Sequence, residues 1–180
     1  TLSWMTSNKL KLNTDKTEVM RAGKDYWLRQ VGSSSVSVAG SSIAYASSVK
    51  YLGVTLDETL SMDEHVSHVC RASFLALRRI SSIRECLSKS ATATLVNACI
   101  TSRLDYCNSV LYGISSEQLQ RLQRVQNNAA RLVLRKRKRD HITPLLMQLH
   151  WLPITSRIRF KIASLAYRHF DGSLPQYLIP

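Results

Sequence analysis

Residues 116–134 read SEQLQRLQRVQNNAARLVL, and this stretch decides the fold class of the larger part of the chain. At about 100° per residue, its apolar and small side chains fall on one arc of a helix. That arc comprises Leu119, Leu122, Val125, Gln126, Ala129, Leu132 and Val133. Ser115 or Ser116, followed by Glu117 and Gln118, is typical of a helix N-terminus. The pattern predicts an amphipathic helix from Ser116 to Leu134.

The adjoining arc of this helix is basic. It carries Arg121, Arg124, Asn128, Arg131, Arg135 and Lys138, and the run Arg135, Lys136, Arg137, Lys138 and Arg139 extends it. The only acidic residue here is Glu117, in the first turn, where the helix dipole favours a negative charge. A purely solvated face normally mixes both signs. We therefore expect this basic stripe to contact phosphate groups of a nucleic acid, positioning it without reading its sequence. A solvated helix end and a nuclear-import peptide are the alternatives.

Helical periodicity extends to both sides of this segment. Asp63 is a plausible N-cap of a preceding helix, whose core positions recur every three or four residues. These positions are Val66, Val69, Ser73, Leu77 and Ile80. A second helix is predicted from about Ser88 to Leu104, with Ser88 or Ser90 as its cap. A last helix should run to about His169, with Pro153 in its first turn, where a missing N–H costs nothing.

The first third of the chain favours β-structure. In the serine-rich residues 32–48, Val36, Val38 and Ile43 alternate with small polar residues, which predicts a β-hairpin. Residues 49–57, VKYLGVTLD, give the clearest single strand, because they are apolar and rich in β-branched side chains. The sequence therefore predicts an α+β fold. A small antiparallel hairpin or sheet in residues 1–62 precedes a mostly helical region in residues 63–180.

Three weaker features complete the prediction for residues 1–62. Residues 2–10 read as the end of a helix, with Trp4 and Leu10 on its buried side. A turn follows at residues 13–15, and residues 17–21 resume as a short strand.

The charge of the chain is uneven. The formal net charge is +13, and residues 114–180 carry 12 basic and 3 acidic residues, a net charge of +9. A basic excess concentrated in one segment indicates a polyanionic partner, with nucleic acid as the first candidate and an anionic membrane surface as the second. No apolar run approaches the roughly 20 residues of a membrane span, and no signal peptide is visible. The chain begins with Thr1, which suggests a fragment of a longer reading frame.

No metal or catalytic cluster is predicted. The four cysteines lack paired spacing, so we interpret them as free and mostly buried thiols in a reducing compartment. His65 and His68 could bind zinc with Cys70, but no fourth ligand is evident, and we expect surface histidines. The pairs at residues 57–58 and 63–64 lack the spacing of a calcium loop, and the second pair suits a helix N-terminus.

Three blocks of the sequence resemble the reverse transcriptases of LINE-type, non-LTR retrotransposons. The first comprises WM at residues 4–5, NKLKLN at 8–13 and DKTE at 15–18, and it resembles motif D, after the catalytic palm strands. The second, VKYLGVTLD at residues 49–57, resembles the hairpin that grips the primer end. The third lies within residues 102–153 and resembles the region after the palm: SRLDYCN, LQRVQNNAAR, HITPLL and LHWLP. The blocks span nearly the whole chain in the family's order.

The resemblance implies roles for several residues. Lys16 occupies the position of the motif D lysine, which could act as a general acid or charge partner for pyrophosphate. Lys50 and Gly53 would belong to the primer-side hairpin of a palm remnant in residues 1–62. Residues 63–180 would form a thumb-like region. RNA and DNA, as template and primer, would be the partners, in a nuclear or cytoplasmic ribonucleoprotein rather than a secreted protein.

The family's chemistry requires more than this chain contains. Two Mg²⁺ ions, held by aspartates on two palm strands, activate the primer hydroxyl and stabilise the leaving pyrophosphate. The sequence contains no adjacent pair of aspartates. We therefore expect no cofactor and no polymerase activity in this chain alone, although Mg²⁺ is implied for the parent enzyme. The alternatives are a non-enzymatic helical nucleic-acid-binding module and an unselected genomic relic.

Overall fold

A computed structural model describes residues 2–30 and 34–175, apart from the side chains of Leu2 and Asp25. The chain divides into two compact units, residues 1–65 and residues 66–180. Within unit 1 the structure has α1 (Leu2–Ser7), a 3₁₀ turn (Thr14–Lys16), α2 (Asp25–Gln30), β1 (Ser35–Val38), β2 (Ser41–Ala44), β3 (Ser48–Tyr51) and β4 (Val54–Asp57). Antiparallel hairpins followed by helices confirm the α+β class.

The remaining elements are helical. The first, α3 (Asp63–Ser82), begins in unit 1 and continues through unit 2. It is followed by a 3₁₀ turn (Arg84–Cys86), α4 (Lys89–Val96), a π-helical segment (Asn97–Thr101), α5 (Ser102–Asp105), a 3₁₀ turn (Asn108–Leu111), α6 (Ser116–Leu134), α7 (Ile142–Gln148) and α8 (Ile154–Phe170). Among the described residues, no helix is both long and apolar enough to cross a membrane.

Two short hairpins make up the β-structure. In β1–β2, Val36 lies opposite Ile43, as expected for a hairpin within residues 32–48, of which residues 32 and 33 lie outside the described residues. The single strand predicted for residues 49–57 is wrong, because β3 and β4 form a second hairpin with Tyr51 opposite Val54. Leu52 and Gly53 both adopt positive φ angles of 45° and 84°. Such a pair forms the tight turn that suits the twist of two antiparallel strands.

Three further expectations for unit 1 were wrong. The segment 17–21 is not a strand, since only Val19 forms an isolated bridge, to Tyr45. The first helix ends at Ser7, and Trp4, predicted to be buried, is 61% exposed. Leu10 is exposed as well. The turn at residue 13 is present, and the Asn13 side chain accepts hydrogen bonds from two backbone N–H groups. Unit 1 therefore has a turn-rich structure with little buried apolar surface among its described residues.

Unit 2 has a continuous apolar core centred on α6, which packs against α4, α7 and α8. The predicted bounds of α6 are confirmed, and Ser115 and Gln118 form a capping box at its start. The five predicted core positions of α3 are buried. The largest fully buried apolar side chains of unit 2 come from α3, α4, the π-helical segment and α6: Val66, Val96, Ile100, Leu122, Val125 and Val133.

The helix predicted from about Ser88 to Leu104 is confirmed, since residues 89–105 are helical throughout, with a change of hydrogen-bond pattern in the middle. Ser88 is its cap, since the hydroxyl accepts a hydrogen bond from the N–H of Ala91, and a π-helical segment separates α4 from α5. Pro153 is the N-cap of α8, one position before the first turn in which it was predicted. Helix α7 was not predicted, because a proline within an apolar stretch is typical of a helix break. Pro144 in fact occupies the first turn of α7, where its missing N–H has no helical partner.

Cysteine and histidine burial also differs from prediction. Cys70 is buried, but Cys86 and Cys107 are exposed and Cys99 is half-buried, so the expectation of mostly buried thiols is wrong. All four are free thiols, as expected. His65 is only 5% exposed, and its Nδ1 atom accepts a 3.4 Å hydrogen bond from the N–H of Thr55. His65 is therefore part of the interior and not a surface histidine, whereas His68 is exposed.

Candidate nucleic-acid interface

The basic stripe does not continue along one helix. Helix α6 ends at Leu134, and Arg135 adopts a left-handed conformation, with φ 52°, as the C-cap. Arg135 and Lys138 therefore leave the helical arc on which the sequence placed them. The cations of residues 135–139 belong instead to a turn that follows the helix.

The arginines of α6 have different environments. Arg124 is exposed, whereas Arg121 is half-buried and donates a 2.6 Å hydrogen bond to the Ser67 hydroxyl of α3. Burial raises the pKa of the nearby Cys70 thiol, and the positive charge of Arg121 acts in the opposite direction. Arg121 thus stabilises the packing of α6 against α3. Arg131 is also half-buried and donates to the backbone carbonyl of Asp140 at 3.2 Å.

The turn after α6 is ordered by Asp140. Its carboxylate accepts a 2.6 Å hydrogen bond from the backbone N–H of Arg137, and its own N–H donates to the Arg137 carbonyl at 3.1 Å. Asp140 thereby stabilises the backbone of residues 137–140 by accepting from the N–H of Arg137, and it leaves the basic side chains of residues 136–139 unpaired within the described residues. The side chains of Lys136, Arg137, Lys138 and Arg139 are exposed.

A groove of about 760 Å³ lies between α3 and α6, within unit 2. Six basic residues and one acidic residue line it, together with apolar and small polar side chains. The basic residues are Arg78, Arg84, Arg131, Arg135, Lys136 and Lys138, and the acidic residue is Glu85. We call this feature the basic groove. It therefore has an excess of five positive charges.

Three of these cations have partners within the protein, and one of them is Arg131, which donates to the Asp140 carbonyl. The Arg84 guanidinium donates hydrogen bonds to the carbonyls of Leu132, Val133 and Leu87, at 2.9, 3.0 and 2.8 Å. Arg135 forms a 3.5 Å ion pair with Glu85. Arg84 therefore satisfies carbonyls that the end of α6 leaves without helical partners. Arg135 neutralises the one carboxylate of the groove.

The other three cations are available to a ligand, and Arg131 adds its positive charge while it remains bonded to Asp140. Arg78, Lys136 and Lys138 are exposed, and no carboxylate of the described residues pairs with them or with Arg131. They come from α3, α6 and the turn after α6, so the groove combines cations far apart in sequence. Such a surface attracts a polyanion.

The groove also has apolar walls. Leu77 is buried and Leu132 half-buried, while Phe74 is 42% exposed beside them. A second groove of about 530 Å³ shares Arg84, Arg135 and Lys136 with the first and adds Lys89 from the start of α4. The two grooves therefore adjoin at Arg84, Arg135 and Lys136.

The predicted site residues fall into separate groups. Arg131, Arg135, Lys136 and Lys138 line the basic groove, whereas Arg121, Arg124, Arg137 and Arg139 do not. Lys16, in the 3₁₀ turn, and Lys50, on β3, are exposed and lie in unit 1, as does the turn residue Gly53.

Sequence analysis missed Phe74, Arg78, Arg84 and Lys89. The spacing of Phe74 and Arg78, one helical turn apart on α3, was the available signal.

The described residues contain no group of three or more His, Cys, Asp or Glu side chains that could hold a metal ion. Among these residues, no donor set fits the Mg²⁺ ions that the resemblance implies. Comparisons with models of protein families, with curated proteins and with solved structures give no match.

Proposed function

We propose that unit 2 binds nucleic acid through phosphate contacts in the basic groove. The observation that supports this proposal is the set of six basic residues against one acidic residue around a concave surface. Cations that replace the counterions around a phosphate backbone gain free energy from ion release, independently of base sequence. The sequence predicted phosphate contacts along the basic stripe. We assign these contacts instead to the basic groove, which includes four residues of that stripe: Arg131, Arg135, Lys136 and Lys138.

We further propose that the chain is the segment of a non-LTR retrotransposon reverse transcriptase that follows the catalytic aspartates. The support is the order of the three sequence blocks along nearly the whole chain. Unit 1 would then be a palm remnant, with β3–β4 as the primer-side hairpin, and unit 2 a thumb-like region. Such a chain would contact template and primer in a ribonucleoprotein without synthesising DNA by itself.

The family proposal is tested upstream in the same reading frame. An aromatic residue, a small residue and two adjacent aspartates within a few dozen codons before Thr1, inside an intact domain, would support a parent polymerase. Stop codons or unrelated sequence there would contradict it. This test leaves the phosphate-binding proposal untouched.

The binding proposal predicts the effect of removing groove cations. A triple variant, Arg78→Gln, Lys136→Gln and Lys138→Gln, should bind an oligothymidylate roughly tenfold more weakly at low salt. The dependence of log K on log salt concentration should become shallower by roughly 2, since each single-strand phosphate contact contributes about 0.7. Fluorescence anisotropy across a salt series measures both quantities.

A matched control carries the same loss of charge on α8: Arg159→Gln, Lys161→Gln and Arg168→Gln. These three residues are exposed and do not line the basic groove. Equal weakening by both triple variants would show that net charge alone attracts the nucleic acid. Wild-type protein whose affinity does not fall with salt would contradict phosphate binding altogether. Unchanged binding with lost nuclear accumulation would instead identify residues 135–139 as an import peptide.

A further inference from the structure

Phe74 is an exposed aromatic residue set among cations. It lies one helical turn before Arg78 on α3, so its ring and the Arg78 guanidinium emerge on the same side of the helix. The ring lines the groove beside the buried Leu77 and remains 42% exposed. An aromatic ring beside exposed cations combines a surface for stacking with contacts for phosphate.

We propose that the basic groove selects single-stranded nucleic acid by stacking an unpaired base on Phe74. The inference rests on the proposed function and adds the class of nucleic acid that the groove prefers. Phosphates of the same strand would lie against Arg78, Lys136 and Lys138.

The aromatic ring of Phe74 is the feature that would make the groove prefer single strands over duplexes. In a duplex the faces of the bases are stacked on one another, and only phosphates, sugars and base edges are presented to a protein. Phe74 would add nothing to duplex binding. In a single strand a base can leave its neighbours and place its face on the ring, and such stacking tolerates any base.

The adjacency of the two grooves favours an extended strand as the ligand. A strand that leaves the basic groove at Lys136 enters the second groove, where Lys89 supplies a further cation. A mononucleotide would use only one of the two grooves. Site sizes of roughly 4–16 nucleotides are usual for surfaces that bind single strands.

The test compares four probes of equal length, roughly 12 nucleotides. They are an oligothymidylate, an oligouridylate, an abasic deoxyribose-phosphate strand and a DNA duplex. Phe74→Ala should weaken binding of both base-containing single strands by roughly tenfold and change binding of the abasic strand and the duplex by less than about twofold. Phe74→Trp should restore or strengthen single-strand binding.

The matched control is Leu75→Ala, because Leu75 is 48% exposed on the same helix and does not line the groove. Phe74→Leu keeps an apolar side chain without an aromatic face, and it serves if Phe74→Ala fails to give native circular dichroism. It should lose the preference for single strands as Phe74→Ala does.

The outcomes separate this inference from the proposed function. If single strands bind with the expected salt dependence and Phe74→Leu leaves their affinity unchanged, the stacking inference is overturned and phosphate binding stands. Equal weakening of the abasic strand would show that Phe74 acts only by shaping the groove, which also overturns the inference. Wild-type protein that binds none of the four probes overturns both proposals.

Discussion

Each oxygen of the Asp57 carboxylate accepts two hydrogen bonds. Oδ1 accepts from the Thr59 hydroxyl and the Ser61 N–H, at 2.7 and 2.8 Å, and Oδ2 accepts from the Ser61 hydroxyl and the Met62 N–H, at 3.1 and 2.7 Å. Burial acts to raise the pKa of Asp57, but these hydrogen bonds outweigh it and hold the pKa below its ordinary value of 3.8. One carboxylate thus organises the connection between β4 and α3.

The lowered pKa predicts how stability depends on pH. Because the folded pKa lies below the unfolded one, the contribution of Asp57 is fully present above the unfolded value and is lost as pH falls through the folded value. Asp57→Asn should reduce the free energy of unfolding by roughly 1–2 kcal/mol at pH 6 and by less near pH 3. Urea unfolding, followed by NMR of the β4 amides at both pH values, measures this difference.

Asp15→Asn is the control for this prediction. Asp15 is exposed, and its carboxylate accepts no hydrogen bond from the described residues. A difference between wild type and Asp57→Asn that stays constant from pH 6 to pH 3 would show that the carboxylate charge is not what stabilises the connection.

At the scale of elements, the end of α6 depends on a residue from another part of the chain. Arg84 lies in the 3₁₀ turn after α3 and donates to two carbonyls of the last turn of α6, almost 50 residues later in sequence. A cation at a helix C-terminus also interacts favourably with the helix dipole. Arg84 is therefore a structural residue, although it lines the basic groove.

Arg84→Met should destabilise unit 2 by about 2–3 kcal/mol, because it leaves buried carbonyls without donors. Arg78→Met, in the same groove, should cost less than about 0.5 kcal/mol, since Arg78 is exposed and forms no hydrogen bond with the described residues. Urea denaturation followed by far-ultraviolet circular dichroism measures both values. Similar losses for the two variants would refute the capping role of Arg84.

The sequence predicts those elements whose signals are local. The bounds of α6 follow from its apolar period and its cap, and the core positions of α3 follow from their spacing. The residue pattern missed helix α7 and the β3–β4 turn, because Pro144 and Gly53 each permit two structures, although the family resemblance implied a hairpin at residues 49–57. Proline interrupts a helix in its interior but fits its first turn, and a glycine inside an apolar run can be a strand residue or a turn residue.

At the scale of the whole chain, charge was predictable and its arrangement was not. The sequence itself shows that residues 114–180 contain 12 basic and 3 acidic residues. The groove, however, places Phe74 and Arg78 of α3 beside Arg131 of α6, more than 50 residues away. Only tertiary packing creates that proximity. The sequence therefore predicted a polyanionic partner but not the surface that we propose for its binding.

The turn stabilised by Asp140 has a consequence for proteolysis. Residues 135–139 offer five consecutive cleavage sites for trypsin on an exposed segment outside any helix, whereas the bond after Arg84 follows a buried and hydrogen-bonded side chain. Proteases cut exposed segments most readily. The first cuts in unit 2 should therefore fall within residues 135–139, which mass spectrometry of the fragments identifies.

An oligothymidylate in the basic groove should shield those bonds and slow their cleavage, while cleavage after Lys9 and Lys11, exposed in unit 1, continues at its original rate. Equal slowing at both places would mean that the oligonucleotide inhibits the protease or coats the whole chain. Selective slowing would make the tryptic pattern a footprint of the bound strand, obtained without altering a single residue.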